Sequence, residues 1–153
     1  MTVEYTALTT LTGLTATPNY SSDDALGTLT TLAVPFNRGV IESVVVVDLS
    51  DTTGINIDIM VLGDNQVAGT AVTPQVDNAV FSLADADVAA VQGVVQVNSW
   101  FDAGNSNAVG TETNVRLPYV SRDGNLYLFC ISRGAHNLVA VTDIRIAFGV
   151  CSS

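Results

Sequence analysis

Apolar and polar residues alternate with a period of two in several stretches of this chain. Ile55-Asn56-Ile57-Asp58-Ile59 is the clearest case and continues into Met60-Val61-Leu62. Such alternation predicts a strand with one buried face. Val40–Leu49 reads as the strongest strand, because four consecutive valines, Val44 to Val47, suggest burial on both faces. The turn Asp51-Thr52-Thr53-Gly54 separates these two strands, which are expected to pair as antiparallel neighbours. Further strands are expected at Leu26–Pro35, Gly93–Phe101, Asn114–Val120, Leu126–Ser132 and Val139–Val150. In the last, Val141, Ile144, Ile146 and Phe148 are the expected core residues, with Cys151–Ser153 as a tail. Pro118 points to a sheet edge or a strand end.

Between strands lie a turn at Asn37-Arg38-Gly39, a long polar connection at Gly63–Asn78, a loop at Asp102–Glu112, and a turn at Arg133–Asn137. Ser121-Arg122-Asp123-Gly124-Asn125 carries the Asp-Gly pair typical of a hairpin. One stretch breaks the pattern. Ser82 to Val91 reads as a short acidic helix, with Ser82 as N-cap, Asp85 at the capping-box position, and Asp85 and Asp87 in the favourable first turns. Leu83, Ala84, Val88 and Val91 would form its apolar side, and Gly93 its stop.

Strands joined by loops, with one helical crossover, predict an all-β fold: an antiparallel β-sandwich, jelly-roll-like, with one short helix near residues 83–91. Residues 1–24 read as an extended Thr-rich N-terminal arm, ending in the loop Pro18–Asp24, and 25–153 as a single β-sandwich domain. In the arm, Tyr5, Leu8, Leu11 and Leu14 recur every three residues, but the threonines between them and Gly13 argue against a helix.

Charge narrows the partners. The 153 residues carry a formal net charge of −10, and 13% are charged, against about a quarter in a typical domain. There is no lysine, and the arginines (38, 116, 122, 133 and 145) are scattered. Nucleic-acid and basic membrane-surface binding are therefore not expected. Thr, Ser, Asn and small apolar residues must cover the surface, a composition suited to burial against other protein subunits. The N-terminus lacks the pattern of a secretory signal, which implies synthesis in a cytoplasm.

Candidate chemistry is sparse. Cys130 and Cys151 read as two buried thiols, the alternative being a disulfide between late strands. Two cysteines and one histidine, widely spaced, make no zinc site. Asp85 and Asp87 read as helix-end residues rather than an acid pair, and Asp123-Gly124-Asn125 as a turn rather than a calcium loop. His136 reads as a solvated turn histidine, with a thiol–imidazole couple to Cys130 or Cys151 as the remote alternative. No nucleophile motif and no phosphate loop accompany it, so neither an enzyme nor a cofactor is expected. Trp100, Phe101 and Tyr119 flank the Asp102–Glu112 loop and are the candidate interface or ligand-contacting residues. The alternative for Trp100 is that it plugs the end of the sandwich.

Several stretches resemble a family. Phe81-Ser82-Leu83-Ala84-Asp85-Ala86-Asp87, Val91-Gln92-Gly93-Val94-Val95, Leu117-Pro118-Tyr119 and Asn125–Gly134 are similar to small structural proteins of tailed bacteriophages, over roughly residues 40–150. The resemblance implies a virion protein on the capsid surface, a capsid decoration or cement protein. Its expected partners are the major capsid protein and copies of itself, with a trimer favoured. The rival expectation is a head- or tail-fibre-like module that recognises host glycans through loop aromatics.

Overall fold

Pairing in this protein is nested. The computed structural model describes residues 2–16, 19–50, 52 and 54–153. Strand β5 (Ile57–Leu62) pairs with β8 (Val91–Val97), β4 (Arg38–Asp48) with β10 (Asn107–Val120), and β3 (Thr30–Ala33) with β11 (Asn125–Ser132). Outermost, β1 (Glu4–Tyr5) and β2 (Thr9–Thr10) pair with β12 (Ile144–Ser152). Every pair is antiparallel, so the chain is one long ribbon doubled back on itself. Folded over, the ribbon gives two sheets, β1/β2–β12–β4–β10–β9 and β3–β11–β5–β8, where β9 is Trp100–Gly104. This is the jelly-roll arrangement of a β-sandwich. With 52% strand and 4% helix, the protein is all-β.

The core lies between the sheets. Val44, Val46, Ile146 and Phe148 from the six-stranded sheet meet Ile57, Ile59, Leu126 and Leu128 from the four-stranded one, all fully buried. The N-terminal residues are built into this core rather than free of it. Leu11, Leu14 and Tyr20 are buried, whereas Tyr5 and Leu8 face solvent. Asp77 fastens this region: its carboxylate accepts from the Tyr20 hydroxyl, the Gly27 N–H, and the N–H and hydroxyl of Thr15.

The four-stranded sheet is covered on its outer side too. Residues 63–90, which include β6 (Gln66–Val67) and β7 (Thr70–Ala71), lie over Met60, Leu62, Tyr127 and Phe129. Phe81 meets Phe129 edge-to-face at 5.7 Å. This second layer explains why β5 and β11 are buried on both faces.

Several sequence expectations are corrected. β4 and β5 are not neighbours and lie in different sheets. The valine run of β4 is buried on one face only, since Val45 and Val47 are half-buried on the other. The acidic helix is a 3₁₀ turn over Asp85–Ala90, capped at Ala84 with no side-chain bond. Ser82 is no cap, because the Gln75 side chain takes both its N–H and its carbonyl. Asp87 is buried and accepts the Thr73 N–H, and Val88 is exposed. Gly93 stops nothing. It pairs with Val61 inside β8, where a Cβ would meet the Leu117 side chain at 2.5 Å.

The expected loop at Asp102–Glu112 is a hairpin of β9 and β10, closed by Asn105-Ser106 with both residues at positive φ. Asp123-Gly124 does not close a hairpin, because β10 and β11 belong to different sheets. Val139 and Val141 are exposed, while Cys151 is a fully buried residue of β12 rather than tail. Asp51 and Thr53 of one expected turn, and Thr17 and Pro18 before the arm's loop, lie outside the described residues.

The sheet edges that face each other at β8 and β10 are blunted. β8 ends the four-stranded sheet, and β9 covers β10 only over Asn107–Gly110, which leaves Pro118 at an open edge as expected. At one end of the gap between β8 and β10, the Gln92 amide donates to the Val120 carbonyl and accepts its N–H, at 2.7 and 3.0 Å. Near the other end, the Glu112 carboxylate accepts the N–H groups of Asn98 and Ser99. Between them β10 bulges, with Asn114 and Arg116 at positive φ. Side-chain bonds and a bulge of this kind oppose edge-to-edge pairing with another chain.

Two buried phenols make the fold sensitive to base. Burial pushes the Tyr20 hydroxyl up to about 12, helped by the Asp77 carboxylate. Burial, then Asp123, does the same for Tyr127, also to about 12. A phenol whose folded value is raised stabilises the fold fully below its ordinary value of 10.0, and that stability is lost as pH rises. Urea unfolding from pH 9 to 12 should therefore show stability falling between about pH 10 and 12. Tyr20→Phe and Tyr127→Phe should each flatten the fall, and an unchanged slope in both would contradict this.

A candidate interface on the open sheet face

The six-stranded sheet has one face in the core, and among the described residues no layer covers the other. Side chains alternate across a sheet, so the partners of buried Val44, Val46, Ile146 and Phe148 point outward. The register aligns Arg145, Val47, Val109 and Phe101 in one row across four strands. Ala147, Val45 and Thr111 form the next row, and Tyr5, Gly149, Ser43 and Thr113 the third. Gly149 has a local reason: a Cβ there would meet Ser43 Oγ at 2.3 Å, Tyr5 at 3.1 Å and Val3 at 3.2 Å. Its absence lets Tyr5 and Val3 lie flat across the strand.

Phe101 is 72% exposed, Tyr5 64% and Val3 42%. Arg145 is the one charged residue in the three rows. The face is thus a broad surface of valine, threonine and aromatic residues in a chain of net charge −10. Contiguous exposed apolar side chains on a protein surface mark candidate sites of association.

Of the three sequence candidates, only Phe101 lies on this face. Trp100 is half-buried against the core, with its ring over Gly110, which is the plug that was the alternative for it. Tyr119 is 2% exposed and pairs with Gly39 near the far end of β10. Gly110, the partner of Trp100, is nine residues away along β10, a separation of about 25–30 Å. The three aromatics therefore form no joint platform. Val109 and Val47, in the same row as Phe101, and Tyr5, at the opposite edge of the face, were missed because register cannot be read from one strand at a time.

His136 is corrected as well. It is fully buried, with Nδ1 2.8 Å from Ser132 Oγ and Nε2 3.5 Å from Asp48 Oδ2. A hydroxyl, an imidazole and a carboxylate are thus in sequence, but all three residues have 0% exposure and no substrate can reach them. Cys130 and Cys151 are free and buried, and burial pushes the Cys130 thiol far up. Asp123 accepts from the Asn125 N–H and the Tyr127 hydroxyl, and the latter bond first of all holds its carboxyl below the usual carboxylate range. Among the described residues no three His, Cys, Asp or Glu side chains cluster to hold a metal. Surface depressions of about 270, 290 and 330 Å³ lie along the Asp64–Arg122 ion pair, the β8–β10 gap and Tyr119, and none of these three includes Trp100 or Phe101.

Comparison with family models, with curated proteins and with solved structures found no match.

Proposed function

We propose that this chain is a non-enzymatic structural protein of a bacteriophage particle, a decoration or cement protein on the capsid surface. It acts by covering and bridging capsid subunits through its open sheet face. The observation that carries this reading is the asymmetry of the sandwich: one sheet is covered on both sides, and the other leaves an apolar, nearly uncharged face bare. Blunted edges beside a bare face favour association through side chains rather than through added strands. Jelly rolls recur in capsid proteins and also in lectins, which is support by analogy of fold alone. The resemblance of Phe81–Asp87 and Asn125–Gly134 to small phage structural proteins favours the capsid. The glycan reading has less behind it, since Trp100 and Tyr119 turn inward.

The major capsid protein and further copies of this chain are the proposed partners. Purified particles should contain the chain in many copies, counted by quantitative mass spectrometry, and its absence would end the proposal. Light scattering on the isolated protein should give an oligomer, with a trimer favoured. A monomer at every concentration would remove the self-association part alone.

A further inference from the structure

The His136–Asp48–Ser132 cluster joins the two sheets, because Asp48 ends β4 in one and Ser132 ends β11 in the other. Its hydrogen atoms can be counted. The Ser132 hydroxyl has one proton and lies 2.7 Å from the Gly134 carbonyl, to which it donates. With that proton on the Gly134 carbonyl, Ser132 Oγ accepts from His136 Nδ1–H at 2.8 Å. Asp48 Oδ1 accepts the Ser50 N–H. That leaves His136 Nε2 facing Asp48 Oδ2 at 3.5 Å, both buried and neither with another partner among the described residues. Two bare lone pairs would repel, and an ionised carboxylate with no counter-charge at 0% exposure is costly. One proton between them removes both problems, whichever atom holds it.

We propose that His136 and Asp48 form a proton-held clasp between the sheets, with one proton more in the folded protein than in the unfolded chain just above neutral pH. Acid locks this end of the sandwich, and base loosens it. The clasp also holds the segment that runs from Arg133 to Asp143, and the His136 carbonyl accepts the Tyr20 N–H. The described charged groups nearest the cluster are engaged elsewhere. The Asp143 carboxylate accepts the N–H groups of Val139 and Ala140, and Arg133 is turned to Asp58 and Asp23. The Tyr20 phenol is bound to Asp77, and Cys130 of β11 sits in the core. Asp51, close in sequence to Asp48, lies outside the described residues.

His136 is the one histidine of the chain, so its ring nitrogens can be read by NMR without ambiguity. At about pH 7.5, above the ordinary histidine value of about 6.5, the clasp requires a hydrogen on Nδ1. Nε2 is then either protonated or hydrogen-bonded to a proton on Asp48. A neutral ring with hydrogen on Nε2 alone, and Nδ1 accepting from Ser132, overturns the proposal. Urea unfolding supplies the second test. Between about pH 7 and 8 the folded-to-unfolded ratio should fall about tenfold more per pH unit in the native chain than in Asp48→Asn, whose amide donates to Nε2 without an added proton. Equal slopes would also overturn it, and if Asp48→Asn does not fold, the NMR result on the native chain decides alone.

Discussion

Phe148→Ala should lower the stability of the folded chain by about 3–5 kcal/mol. Phe148 has no exposed surface and lies at the centre of β12, between β1/β2 and β4. Its ring fills the layer where both sheets meet, and truncation leaves a cavity that stiff strands on either side cannot close. A domain of this size has roughly 5–15 kcal/mol in total, so the variant should unfold at much lower urea with an unchanged slope. A loss below about 1 kcal/mol would mean that the two sheets do not pack through this residue.

The second large effect concerns assembly rather than folding. Phe101→Glu should leave urea stability within about 0.5 kcal/mol, because the side chain is 72% exposed. Association through the face, with itself or with capsid, should weaken at least about tenfold, since a buried carboxylate would sit beside Val109 and Val47 without a partner. Sedimentation of the variant beside the native chain, and its incorporation into particles, measure this. Undiminished assembly by a well-folded variant would place the contact elsewhere. Trp100→Ala gives the contrast: its ring packs on the core, so it should cost stability first.

How far the sequence could carry the reading depended on distance along the chain. Ile57–Leu62, marked by alternation, and Asn125–Ser132, marked by an apolar run, are strands close to where the pattern puts them, although Ile57–Leu62 is buried on both faces rather than the expected one. Local pattern says which residues alternate, but not what covers each face. Val44–Val47 looked doubly buried because four valines in a row carry no polar marker for the outer face. The β9–β10 hairpin was hidden because Asn105-Ser106 takes the two left-handed positions usually held by Asn-Gly. Ser82 and Asp85 spelled a helix start, yet the amide of Gln75, seven residues before Ser82, claimed its backbone. His136 looked solvated because its partner Asp48 is far away in sequence and only the folded ribbon brings the two together. The open face was illegible for the same reason, since its rows draw on β1, β12, β4, β10 and β9.

Nested pairing also sets the order in which this chain can mature during synthesis. The innermost strands, Ile57–Leu62 and Val91–Val97, are both available early, whereas Glu4 waits for Val150. A nascent chain that has not yet emitted Ile144–Ser152 holds the Arg38–Asp48 strand with one flank bare, and its first strands without any template. Contacts so distant in sequence form slowly, and the waiting intermediate exposes apolar strands. Removing Ile144–Ser152 would strip the Arg38–Asp48 strand of one neighbour and detach Glu4–Tyr5 and Thr9–Thr10 from the sheet.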